Sequence, residues 1–320
     1  GDAAGTIGRR SHSTFRSGVQ QEGRGRGRLG GEGDRDGRRW IRAGERGRRQ
    51  RAGAFSVIIV GALAVAVAVA VGPASAAPPC GSAEGEPIWV ERVVSGDEMV
   101  LVDGRRLRLA TVEAPRVPIG AGGEVRQEAV AVAAAARVAL ADRVEGREIA
   151  FTETRTDRHG RRLGHLYDTE AGQWIEAALV AAGHLRVLPS RSERDCAAAL
   201  LVEERAARAA VRGLWASASF AAVPATAPGL AARVGRWTVV EGTVRSIGRS
   251  GGHVWLNFGE DFRRDFAVVM DDKDLEGFRA AGFDATAARG WTVRVRGVVV
   301  HRGGPRIAVE VPEAIERMTK

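Results

Sequence analysis

Residues 93–116 read VVSGDEMVLVDGRRLRLATVEAPR. Val93 and Val94 precede Ser95-Gly96-Asp97, and Val100 and Val102 follow it, so apolar positions alternate on both sides of a turn. Asp103-Gly104 is a strong hairpin signal, because both residues tolerate the positive φ that a two-residue turn demands. Beyond it Leu107, Leu109 and Thr111 share one face, and Arg106, Arg108 and Ala110 the other. The stretch is therefore three strands joined by two tight turns.

Towards the C-terminus, 114–124 is a Pro/Gly-rich loop and 124–144 is Ala-rich with helical spacing. Strands follow at 147–153 and 161–168, separated by Arg155-Thr156-Asp157-Arg158-His159-Gly160. A short helix over 173–182 stops at Gly183, and a longer one over 195–212 is closed by Gly213. The order is three strands, a helix, two strands and two helices. After Phe220 the composition shifts: 221–232, with Pro224 and Pro228, reads as a linker. Strands at 237–247, 253–258, 266–270, 291–301 and 306–311, with a helix at 272–281, suggest a second small barrel over 233–318. The predicted fold class is mainly β with α.

Towards the N-terminus the chain changes character. The 320 residues carry 48 Lys and Arg against 39 Asp and Glu. Residues 1–53 hold 14 of the arginines and only 6 of the acids, so the remainder is nearly neutral and the basic balance says little about the folded part. That leader also holds 14 glycines and no apolar period, which predicts disorder. Arg24-Gly25-Arg26-Gly27-Arg28 suits an RNA-binding tail, the alternative being a leader outside the true coding start. Residues 54–71 are apolar behind Arg48-Arg49-Gln50-Arg51, and Ala74-Ser75-Ala76 follows. Residues 54–76 thus read as a secretory signal cleaved before Ala77, with an uncleaved anchor as the alternative. Either way the passenger is exported, periplasmic or secreted. Cys80 and Cys196 then lie in an oxidising compartment. The expected bond ties the arm ahead of the first strand to the start of the long helix, two unrelated thiols being the alternative. With no CxxC or His/Cys cluster, zinc is not expected, and His159 and His165 read as surface residues.

Four blocks together resemble the staphylococcal nuclease (thermonuclease) family: Val94-Ser95-Gly96-Asp97, residues 107–115, residues 155–161, and Gly213-Leu214-Trp215. They arrive in the family's order and cover about 88–217, within a domain expected over 88–220. The resemblance implies an OB-fold five-stranded barrel with three helices, and an enzyme that uses Ca²⁺ to hydrolyse DNA and RNA. It places Asp97 and Glu113 as metal carboxylates, Glu113 standing where the family has Asp. It places Arg108 and Arg161 as phosphate-binding arginines whose forks suit phosphate oxygens.

The resemblance departs at Arg116, which occupies the position of the family's general base, a Glu. A guanidinium cannot accept a proton from water and repels a nearby cation. Glu98, Glu124 and Glu128 are the alternative bases, with nothing in the sequence to select one. The family's substrate-flanking tyrosines are also missing: His159 occupies one position, and 185–191 contains none. Two functions follow as expectations: a metal-dependent nucleic-acid phosphodiesterase with an altered, base-lacking site, or a non-catalytic nucleic-acid-binding or scaffold protein on the nuclease fold. In the second barrel Trp255, Phe258, Phe262, Phe266 and Trp291 read either as base-stacking aromatics or as core.

Overall fold

The structure, a computed structural model, describes residues 80–117 and 126–318. The leader 1–53, the stretch 54–76 read as a secretory signal and Glu124 lie outside the described residues. Among the described residues no helix is long and apolar enough to cross a membrane.

The first barrel is built from β1 (Glu86–Ser95), β2 (Glu98–Leu101) and β3 (Arg106–Leu109), then a short β4 (Val112–Glu113), helix α1 (Gln127–Val144), β5 (Glu148–Thr156) and β6 (Arg162–Asp168). β1 pairs antiparallel with β2 and β5, β2 with β3, and β5 with β6. β3 closes the cylinder by running parallel to β6. Register shifts in β1 at Val90–Arg92 and Val93–Ser95 bend the strand as closure requires. The alternation of Leu107 and Leu109 with arginines turns the leucines inward, where they meet Met99, Ile149, Phe151 and Leu166. Ala129, Ala136, Leu140 and Val144 form the buried stripe of α1. Then come β7 (Gln173–Trp174), α2 (Ile175–Ala181), β8 (Arg186–Val187) and α3 (Arg194–Ala209).

A second barrel follows through β9 (Val223–Pro224), β10 (Trp237–Thr243), β11 (Ser246–Ser250), β12 (His253–Asn257), β13 (Ala267–Asp271), α4 (Leu275–Ala280), β14 (Thr292–Val298), β15 (Val300–Arg302), β16 (Gly304–Ala308) and β17 (Ile315–Arg317). With β10–β11 and β14–β15 each taken as one bent strand, the pairing order repeats that of the first barrel. Strands one and two pair through β11–β12, two and three through β12–β13, and three runs parallel to five through β13–β16. Five pairs with four through β15–β16, and four with one through β10–β14. In both barrels a helix joins the third strand to the fourth.

The stretch read as a linker is not a free tether. Val223 and Pro224 pair with Val240 and Glu241, and Leu230 is buried in the second core. Its scattered apolar residues cover the barrel although its prolines suggested a loop. Between the barrels Ala129, Ala207, Leu214, Trp215, Phe220, Trp237 and Val239 form a third apolar cluster. Arg191 bridges to Asp274 and Glu310, Arg194 bridges to Glu313, and the fully buried Glu204 meets Arg208 and the fully buried Arg296.

The expected Cys80–Cys196 disulfide is present, with the two Cα atoms 5.6 Å apart. His165, expected at the surface, is instead buried, because α2 and α3 cover the outer side of β6. Its ring nitrogens lie 3.1 Å from Glu176 Oε1 and 3.2 Å from Glu193 Oε2. Burial pulls its pKa down, but the two carboxylates outweigh that and hold it above 6.5. A raised folded-state pKa stabilises fully below the unfolded value and is lost as pH rises through the folded one. The stability advantage of wild type over His165→Gln should therefore shrink between about pH 6 and about pH 9. Urea melts at both pH values check this, and an advantage that grows with pH contradicts it.

Candidate active site

Asp97 stands in the turn between β1 and β2. Gly96 lets that turn lie against α1, since a Cβ there would come 2.8 Å from the Ala136 Cβ. The carboxylate is wholly buried and fully engaged. Ser95 Oγ donates to it at 2.7 Å. Arg108 donates from Nε at 3.2 Å and from Nη2 at 3.1 Å. Arg116 Nη2 reaches both oxygens, at 3.2 and 3.0 Å. Two guanidiniums thus share one carboxylate.

Glu113 is aimed by a strained turn. Thr111 has φ 62°, a region sparsely populated for a β-branched residue, and its buried Oγ1 has no partner. Past it β4 pairs with β8, placing Glu113 opposite Arg186. Arg186 Nη2 donates to Glu113 Oε2 at 3.0 Å, and Arg116 Nε lies 4.0 Å from Oε1. Arg186 was not singled out from the sequence; its place within the apolar run 185–188 was the available signal. Its guanidinium lies 4.4 Å from the Trp237 ring centroid.

Arg161 is turned to carboxylates as well. It donates from Nε to Asp157 at 2.8 Å and from Nη1 to Glu98 at 2.8 Å. Burial raises the pKa of Asp157, but hydrogen bonds from Arg161 and His159 outweigh it and hold it at about 2. Glu98 also receives Arg106. Of the other suggested bases, Glu128 accepts from Ser217 Oγ. His159 is exposed.

The structure therefore joins Asp97 to Arg108 and Arg116, sets Glu113 beside Arg116, and holds Arg161 on Glu98 and Asp157. Calcium takes six to eight oxygen ligands. Here Asp97 has its oxygens committed to nitrogen and hydroxyl donors, Glu113 is paired with Arg186, and a guanidinium stands between them. In this arrangement the residues do not fit the ion. Among the described residues, the metal-ligating types converge in a group of three or more only at Cys80, His165 and Cys196, where the disulfide uses both sulfurs.

In the second barrel Phe258 and Phe266 are core, their ring centroids 5.3 Å apart. Trp255 is half-buried on β12 with Arg306 5.2 Å from its ring centroid, Trp291 lies under Arg317 at 4.0 Å, and Phe262 is exposed.

Residues 106–217 match the family model described as Staphylococcal nuclease homologue. The match opens at the start of β3, so Asp97 lies ahead of it, and it closes just past Trp215. A comparison with curated proteins finds no match.

Proposed function

We propose, from the premise that residues 106–217 form a staphylococcal nuclease homologue domain, that this is an exported nucleic-acid-binding protein in which Arg116 arrests hydrolysis. The observation that carries this reading is the contact of Arg116 Nη2 with both oxygens of Asp97. A fixed positive charge sits on the carboxylate that the family resemblance gives to calcium, and among the described residues Glu98, Glu113 and Glu128 are each engaged by a donor. Arg106, Arg108, Arg116, Arg161 and Arg186 face Asp97, Glu98, Glu113 and Asp157, five charges against four, so the cluster is close to neutral. A phosphate must compete with these carboxylates for the arginine forks, and binding is accordingly modest and salt-sensitive.

The second barrel favours binding over a purely structural role. In OB-type barrels the face of strands two and three takes oligonucleotides, and β12 there presents Trp255 beneath Arg306. A base can stack on such a ring while the guanidinium meets the backbone. Export rests on the 54–76 segment and agrees with the Cys80–Cys196 bond.

The test is a labelled single-stranded oligonucleotide titrated with the mature chain, in millimolar calcium and in chelator. Expected are saturable binding at low salt, an intact strand, and about tenfold weaker binding for Trp255→Ala. Absent binding, or rapid calcium-dependent cleavage by wild type, overturns the reading.

A further inference from the structure

Three segments far apart in the chain meet on the outer side of β6. Cys80 stands on the arm ahead of β1, His165 on β6 and Cys196 in the first turn of α3, and all three are buried. Their ligand atoms, two sulfurs and one ring nitrogen, lie within 4.8 Å of one another. No spacing in the sequence announces this His/Cys cluster; the barrel and the helices that cover it make it.

The surroundings of His165 are those of a metal-binding imidazole. Its Nδ1 lies 3.1 Å from Oε1 of the fully buried Glu176, whose two oxygens also accept the Leu166 N–H. A carboxylate on one ring nitrogen fixes the orientation of the ring and raises the basicity of the other nitrogen. That other nitrogen, Nε2, lies 3.2 Å from Glu193 Oε2, and the same oxygen lies 3.5 Å from Cys196 Sγ. Glu193 thus offers a fourth donor beside the other three. Burying an imidazole and two carboxylates is costly, and a disulfide, uncharged and a weak acceptor, does little to offset it.

We infer that, once the Cys80–Cys196 bond is reduced, Cys80, His165, Cys196 and Glu193 bind one zinc ion. Two thiolates, an imidazole and a carboxylate make a closed set of four donors of the kinds that zinc takes tetrahedrally. Zinc–sulfur bonds of about 2.3 Å and zinc–nitrogen bonds of about 2.0 Å set neighbouring donors roughly 3.3–3.8 Å apart. With the Cα atoms 5.6 Å apart, side-chain rotation is enough to part the sulfurs that far. The site depends neither on Arg116 nor on nucleic-acid binding.

The exchange balances in both directions. A dithiol reductant passes two electrons and two protons to the Cys80–Cys196 bond and becomes a disulfide. Zinc then displaces the two thiol protons and any proton on His165 Nε2. In reverse, a disulfide oxidant takes two electrons from the bound thiolates and two protons from water, leaving as a dithiol, while the sulfur–sulfur bond re-forms and the ion departs. Zinc and the crosslink therefore exclude each other.

The test takes the mature chain, reduced by a dithiol and desalted without oxygen, and titrates it with zinc against a chromophoric chelator, beside the oxidised chain. One tightly held zinc per reduced chain is expected, and none for the oxidised chain. Cobalt(II) in place of zinc should give thiolate charge-transfer bands and tetrahedral ligand-field bands in the reduced chain alone. His165→Gln keeps both thiols and should weaken zinc binding at least about tenfold, whereas Trp255→Ala should leave it unchanged. Unfolded thiols also bind zinc, so melting decides whether the ion sits in the folded site: zinc should raise the melting temperature of the reduced wild type. No stoichiometric zinc on the reduced chain, equal binding by the oxidised chain, equal affinity in His165→Gln, or an unmoved melting temperature overturns the inference.

Discussion

Arg116→Glu, assayed in millimolar calcium, is expected to cleave DNA at least about tenfold faster than wild type, which leaves it intact or nearly so. Two effects act in the same direction. The substitution removes the guanidinium that holds both oxygens of Asp97, and it introduces a carboxylate able to accept a proton. A positioned general base contributes on the order of 10²–10⁴ in rate. The gain should fall short of that, because Glu113 is one methylene longer than the family's Asp and stays paired with Arg186. Adding Arg161→Ala should abolish the gain by removing a donor to the developing phosphoryl charge. A wild type that already cleaves vigorously, with Arg116→Glu no faster, refutes the assignment.

Loss of the Cys80–Cys196 bond is expected to have the largest effect on stability. It closes a loop of sequence separation 116. Loop entropy alone assigns such a crosslink on the order of 4–5 kcal/mol, and measured gains are often smaller. Its first cysteine is buried in the core of the first barrel, and Gly81 beside it lies against Trp174. Cys196→Ser should lower the melting temperature by about 10 °C, at the few degrees per kcal/mol of a domain this size. Two free thiols in the denatured, oxidised protein, or an unchanged melting temperature in Cys196→Ser, contradict this.

The barrel strands were legible because their determinants are local. Asp103-Gly104 sets a hairpin, the alternation of Leu107 and Leu109 with arginines sets a face, and Gly183 ends a helix whose periodicity is visible. The long helix, expected to run to Gly213, stops instead at Ala209, and Val211 takes the left-handed φ of 52° there. Asp97, Arg108, Glu113, Arg116 and Arg161 were singled out from the sequence, but their pairing was not legible there. Arg116 reaches back 19 residues to Asp97, and Arg186 meets Glu113 across 73, so both contacts depend on how β4 and β8 are brought together. His165 was misjudged for the same reason: segments later in the chain bring Glu176 and Glu193 onto the outer side of β6. The stretch 221–232 resembled a tether because its prolines and glycine are conspicuous, whereas the pairing of Val223 with Val240 is non-local.

Calcium titration of the mature wild-type chain by calorimetry, beside Arg116→Glu, tests the central claim most directly. If the Arg116 guanidinium holds the cation's place on Asp97, wild type binds no calcium at millimolar concentration. Arg116→Glu then gains one site, which is lost when Asp97→Asn is added. Stoichiometric calcium binding by wild type that Asp97→Asn removes would contradict the account.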